Sequence, residues 1–365
     1  MSGASILRAM KPTLERTARF CEEFGLKLPV LLGPMAGVSS PALSIAVANA
    51  GGLGACGVLL MQPAEILEWA RQFSAQSAGP FQLNVWIPDP EPERDDRHEA
   101  ALREFLGRFG PAVALDAGSA RPPDFRAQLE AMLDARPPIL SSVMGLYPAW
   151  FVDRMRQQGI KWFANVSTVA EARAAEDAGA DAVVVQGAEA GGHRGCFDAR
   201  DAERGMVGLI SLVPTVVAAV KVPVVATGGI ADGKGLAAAL VLGASAAQIG
   251  TGFLRCPEAN ISPAWADALA RTAPENTTVS RVFSGRAGRS IATRYVREAT
   301  HSRAPVPAPY PVQRGLTAAM RGQASKDGDV ERMQAWAGQS ASLARALPAG
   351  RLVTDIWHEA RDLLQ

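Results

Sequence analysis

Of the four histidines in the chain, at positions 98, 193, 301 and 358, only His193 stands in a run that would expose it. It lies in Gln186-Gly-Ala-Glu-Ala-Gly-Gly-His193-Arg-Gly195, a glycine-rich loop following an apolar strand-like segment. Imidazole is the side chain best matched to proton transfer near neutral pH, so His193 is the catalytic candidate. A solitary histidine is more often structural, and the loop is what shifts the reading. Glu189 in the same loop is either a second acid–base group or the anchor that fixes the loop. Cys196, three residues beyond, would need an oriented base and a third group to act as a nucleophile, and the sequence supplies no third group. No histidines pair at metal-ligand spacing, and no metal is expected.

Glycine-rich turns mark a second kind of chemistry. Gly33-Pro34-Met35-Ala36-Gly37 makes a tight turn whose backbone could lie against a flat ligand. Thr227-Gly228-Gly229 and Gln248-Ile249-Gly250-Thr251-Gly252 follow the last two strand-like runs. Turns at that place leave amides unpaired, and glycine removes the Cβ that would crowd a phosphate. Two pattern matches fail. Gly228–Lys234 reads GxxxxGK, but Gly235 stands where a magnesium-holding Ser or Thr is required. Gly52–Gly57 reads GxGxxG, but it leads into a strand rather than out of one.

Eight strands are predicted to carry these turns: Pro29–Gly33, Gly52–Cys56, Phe81–Trp86, Pro138–Val143, Lys161–Val166, Asp181–Gln186, Val222–Thr227 and Ala246–Thr251. Most are separated by an amphipathic or alanine-rich segment, and Thr168-x-x-Glu171 reads as a capping box. In AGADAVVV and LGASAAQI a glycine can take the left-handed position that stops a helix. The pattern predicts an α/β (β/α)8 TIM barrel, with an open doubly wound sheet as the alternative. Asn84 is a polar residue inside the third strand. Residues 88–137 read as an insertion after that strand, with one or two helices of its own. The barrel domain is expected over residues 1–257, and residues 258–365 as a mostly helical extension capping its mouth.

Lys plus Arg number 37 against 36 Asp plus Glu, a balance that excludes a basic surface for nucleic acid or an anionic membrane. The opening residues MSGASILRAMKPTLER lack the long apolar core of a secretory signal. The uncharged stretch between Lys27 and Glu65 is broken by glycines, prolines and serines, so it is not a membrane span. Four cysteines without close spacing fit reduced thiols in a cytoplasmic protein.

Taken together, GPMAG, FQLNVW, VVQGAEAGGHRG, VPVVATGGI and AAQIGTGFL resemble the nitronate monooxygenase (2-nitropropane dioxygenase) family. The likeness continues into RVFSGRAGRSIATRY at 281–295 and Trp336-Ala-Gly-Gln339. The resemblance implies a non-covalent FMN across the barrel mouth, with Pro34, Met35 and Ala36 against the isoalloxazine. It implies Asn84 and Gln186 hydrogen-bonded to its polar edge, Gly191 in close approach, and Asn165 after the fifth strand as a further, weaker cofactor contact. Gly228, Gly229, Gln248, Ile249, Gly250 and Thr251 would hold the ribityl phosphate, and His193 matches the catalytic histidine. The implied reaction oxidises alkyl nitronates, or nitroalkanes, with O2 to carbonyl compounds and nitrite through a flavin semiquinone. The expected partners are a small nitronate and O2, with a homodimer as an allowed assembly. Some members line the pocket with several tyrosines. This chain has only Tyr147, Tyr295 and Tyr310, so Trp86 or Trp162 is expected in their place. The alternative within the same barrel is an FMN-dependent NAD(P)H reductase of the enoyl-acyl-carrier-protein or quinone type.

Overall fold

The computed structural model describes the chain from Gly3 to Gln365, with side chains from Lys11 onward. The opening segment read for a secretory signal lies partly outside these residues. Eight strands form one parallel sheet: β1 (Val30–Leu32), β2 (Gly54–Gly57), β3 (Phe81–Trp86), β4 (Ile139–Val143), β5 (Lys161–Val166), β6 (Ala182–Gln186), β7 (Val224–Thr227) and β8 (Ala246–Ile249). Their order is β1-β8-β7-β6-β5-β4-β3-β2. A parallel bridge between Leu31 and Leu53 closes the ring, with Leu32 N donating to Leu53 O at 2.9 Å. The fold is therefore a (β/α)8 barrel, not an open sheet, and each of the eight expected strands is present. Of these, β3 and β5 keep their expected bounds, β2 starts later and ends one residue later at Gly57, and the others are trimmed by one or two residues.

Strand alternation sorts the side chains into two cores. Outward residues such as Leu83, Val85, Trp162, Val183 and Ile249 pack under the helices. Inward residues Leu31, Leu53, Ile139, Phe163, Val184 and Val225 fill the lower barrel. The helix Gly3–Glu23, which strand and turn signals did not reveal, plugs that end, with its Phe20 and the following Phe24 against Phe163. Higher up, the inward layer turns polar. Asn84 is register-paired with Ser141, and Thr227 is paired with both Gln186 and Gln248. This layer forms the floor of the mouth.

Local signals hold where they were read. Gly179 and Gly243 end their helices at φ +95° and +110°, in the left-handed region that glycine tolerates. Thr168 Oγ1 accepts from Glu171 N at 3.1 Å, as a capping box requires. The reciprocal bond is displaced: the Glu171 carboxylate accepts from Ser167 N and Phe197 N, tying the helix to the loop that carries His193.

The segment after β3 contains the helices Asp96–Leu106 and Phe125–Asp134. Leu102, Leu106 and Phe109 pack with Phe283, Tyr295, Val312 and Leu316 into a separate apolar core, so insertion and C-terminal region build one cap. The final helix, Ala349–Leu364, does not lie over the mouth. Its Leu352, Val353, Ile356 and Ala360 join the main core, packed against helices Pro41–Asn49 and Gly233–Val241 in the outer ring. Its strongly amphipathic pattern fits that place, because one apolar stripe meets the barrel and the other face meets solvent.

Candidate active site

The ends of the strands surround a cavity of about 250 Å³. Pro34, Met35, Ala36, Asn84, Gln186, Gly191, His193, Gly228, Gly229, Gln248, Gly250 and Thr251 all line it. Asn165 and Ile249 do not. Ile249 points outward by strand parity, its side chain in the helix-facing core, and only its carbonyl reaches the β1 turn, accepting from Gly33 N at 2.8 Å. Asn165 points inward but is covered by Gly195, whose backbone lies so close that a Cβ there would collide with Asn165 Oδ1.

His193 is held by backbone before side chains act. Gly192–His193 forms an antiparallel edge with Gly288–Ile291, pairing His193 with Gly288, and Arg194 N donates to Ala287 O at 2.8 Å. Gln186 spans the loop, its Nε2 donating to His193 O at 3.0 Å and its Oε1 accepting from Gly195 N at 2.8 Å. Buried Arg194 ties Gln186 O and Gly205 O together. The imidazole stands between two indoles, with ring centroids 4.5 Å from Trp86 and 4.6 Å from Trp336. Its Nε2 lies 2.8 Å from Ser284 Oγ. Burial, reinforced by the charges of Arg286, Arg314 and Arg321, pushes its pKa from 6.5 down to about 3. The ring is neutral at physiological pH.

The two readings of Glu189 resolve into the anchor. Its carboxylate accepts from Leu209 N at 2.9 and 3.1 Å, at the N-terminus of helix Leu209–Val217. Cys196 is buried and its Sγ donates to Asp198 O, turned away from His193, while burial raises its pKa. Cys56 and Cys256 are pushed up to about 12 by burial, which leaves them as thiols.

Elsewhere on the cavity wall, Gly228 and Gly229 adopt φ +115° and +68°. Among the described residues, their amides make no backbone hydrogen bond. The helix that follows, Gly233–Val241, does not turn a free positive end to this place. Asp232 Oδ1 accepts from Gly235 N at 2.8 Å and Glu359 Oε2 from Gly233 N at 3.1 Å, so two carboxylates already occupy its N-terminus. Free amides of the turns, not that helix, are what an anion would meet. Thr251 Oγ1 accepts from Gly338 N at 3.0 Å and joins the cap to this wall.

The polar floor is internally braced. Asn84 Nδ2 donates to Ser141 O and Oγ at 3.1 and 2.9 Å, and Gln82 Nε2 donates to Gln248 Oε1 at 3.1 Å. Gln82 carries the same inward parity as Asn84 and Trp86 and was discoverable from it. Of the two tryptophans expected, Trp86 lines the cavity, whereas Trp162 faces the helices and donates to Ser142 Oγ at 3.1 Å. Tyr310, Ser284, Arg314 and Trp336 come from the cap. Among the described residues, Arg314 forms no ion pair with any carboxylate.

The family model described as nitronate monooxygenase matches residues 18–359. A nitronate monooxygenase of Paraburkholderia phytofirmans is 38% identical over 348 residues, 93% of this chain and 94% of that protein. The structure of a nitroalkane oxidase from Streptomyces ansochromogenes is similar at TM-score 0.84 and 36% identity, covering 93% of this chain and 98% of that one. FabK from Thermotoga maritima is similar at TM-score 0.74 and 26% identity, covering 95% and 96%. With His193 in its glycine-rich loop at the mouth of a closed barrel, the chain is an oxidoreductase and belongs to the nitronate monooxygenase family.

Proposed function

We propose that this protein oxidises alkyl nitronates, and the nitroalkanes from which they form, with O2 to carbonyl compounds and nitrite, using FMN. The observation that carries the reading is a single cavity whose wall carries both a neutral histidine and bare glycine turns. Those turns fit a phosphate, because no Cβ intrudes and their amides are free to donate. Gly228, Gly229, Gln248, Gly250 and Thr251 would hold the ribityl phosphate. Pro34–Ala36 and Gly191 would pack against the ring system, and Asn84 and Gln186 would meet its polar edge. Bound there, FMN supplies the electron acceptor and the centre at which O2 reacts.

The protein's own part is proton and charge management. A neutral His193 can accept the proton from the carbon beside the nitro group of a neutral nitroalkane, through the ring nitrogen that Ser284 does not occupy. A nitronate arrives without that proton and as an anion. Arg314 on the wall, which pairs with no carboxylate among the described residues, favours its entry. Trp86 and Trp336 flank the imidazole and fix its plane beside the cavity. The test is to measure flavin released on denaturation and, separately, O2 uptake and nitrite with propyl-1-nitronate. Stoichiometric FMN with nitrite release supports the reading; protein that holds no flavin, or flavoprotein that leaves the nitronate intact, overturns it.

A further inference from the structure

A second cavity, of about 690 Å³, opens beside the reaction cavity, and the two share Leu59, Trp86 and Tyr310 as walls. It lies within the cap, between the insertion after β3 and Tyr310–Val312 of the C-terminal region. Ile87, Pro88, Pro122, Pro123, Phe125 and Val312 give it an apolar lining stiffened by proline.

Apart from the Tyr310 hydroxyl, the polar side chains around it are largely engaged. Asp89 is bound by Arg286 at 2.6 and 2.8 Å, and Arg94 by Glu99 and Ser119, each at 2.7 Å. Asp124 caps a helix through Ala127 N, and Gln128 Nε2 donates to the carbonyls of Val58, Leu59 and Met61. Glu91 and Arg121 pair at 3.6 Å at the solvent rim. A charged or strongly hydrogen-bonding ligand would lose hydration there and find little in return, whereas an alkyl chain would lose nothing. On the shared wall Tyr310 Oη has no hydrogen-bond partner, so no polar contact pins that ring between the cavities.

We propose that this second cavity is a subsite for the unbranched alkyl tail of the substrate, whose reacting carbon sits by His193. The inference rests on the nitronate reading above and deepens it, naming longer-chain alkyl nitronates as the preferred class.

The experiment compares ethyl, butyl, hexyl and octyl nitronates on the flavin-loaded enzyme. The expected KM falls about fourfold for each added methylene that is buried, with kcat unchanged. Ala120, at the cavity's edge, is exposed, so a larger side chain is accommodated without disturbing the core. Ala120→Phe should abolish the chain-length dependence, and Ala120→Ser should retain it. A calorimetric titration with 1-octanol reads the subsite without turnover: saturable binding that Ala120→Phe removes supports it. Turnover of ethyl nitronate with a KM that is flat or rises with chain length overturns the tail subsite alone. No turnover of any nitronate overturns the parent reading, and 1-octanol that does not bind overturns the subsite independently.

Discussion

His193 Nε2 and Ser284 Oγ are 2.8 Å apart although ninety-one residues separate them in the chain. Ser284 Oγ also lies 3.2 Å from Arg286 O, to which it donates, and accepts from Arg286 N at 3.3 Å. With the serine proton on that carbonyl, the neutral imidazole carries its own proton on Nε2 and leaves Nδ1 as acceptor. Ser284→Ala removes this orientation. Loss of one hydrogen bond worth about 1 kcal/mol should lower turnover of neutral nitroalkanes roughly fivefold, while flavin content stays the same. Steady-state rates at matched flavin occupancy check this.

His193→Asn should keep FMN bound, because the groups that would hold the phosphate are the glycine turns after β7 and β8, not the imidazole. Activity on neutral nitroalkanes should fall by about 100-fold or more, the usual worth of a positioned base. Activity on preformed nitronates should fall much less. Equal losses on both substrates would contradict a proton-accepting role.

The depressed pKa of His193 also predicts an acid instability in the flavin-free protein. Its folded value of about 3 lies below the ordinary 6.5, so the unfolded chain takes up the proton first as pH falls. The histidine therefore subtracts stability progressively as pH drops from about 6.5 toward 3. Thermal unfolding of His193→Gln against the parent should show a smaller fall in Tm across that window.

At the turn after β7, Gly229→Val adds a branched side chain where φ is +68° and where even a Cβ would approach Glu189 Cβ to 3.2 Å. Both effects displace the turn from a bound phosphate. Gel filtration at nanomolar protein should separate the variant from its flavin, with far-UV circular dichroism unchanged.

The cap depends on Arg286, which is 2% exposed and paired with Asp89 through two bonds. Asp89→Ala leaves that guanidinium buried without its carboxylate, which should cost about 3 kcal/mol. Chemical denaturation should show the loss, and a loosened cap should raise KM for nitronates more than it lowers kcat.

Much of the barrel was legible because strand parity and helix stops are local. FQLNVW shows the reasoning: its alternate residues Gln82, Asn84 and Trp86 face inward, and Phe81, Leu83 and Val85 face the helices. Applied consistently, the same parity separates Trp86 from Trp162 and removes Ile249 from the cavity wall. Asn165 passes that test and is still covered, because Gly195 arrives from a loop whose path parity does not describe. Ser284, Tyr310 and Arg314 lie in the cap, where spacing within the barrel repeat carries no information. The last helix was misplaced for a related reason. Its amphipathic face announces burial against something, but only the gap between two barrel helices says against what.

The most direct test of the central claim is O2 consumption by the flavin-loaded protein given propyl-1-nitronate, with NADPH in a parallel cell. Rapid uptake with nitrite formed is expected on the nitronate alone. Uptake or flavin reduction with NADPH, and none with the nitronate, would contradict it and assign the barrel to a reductase.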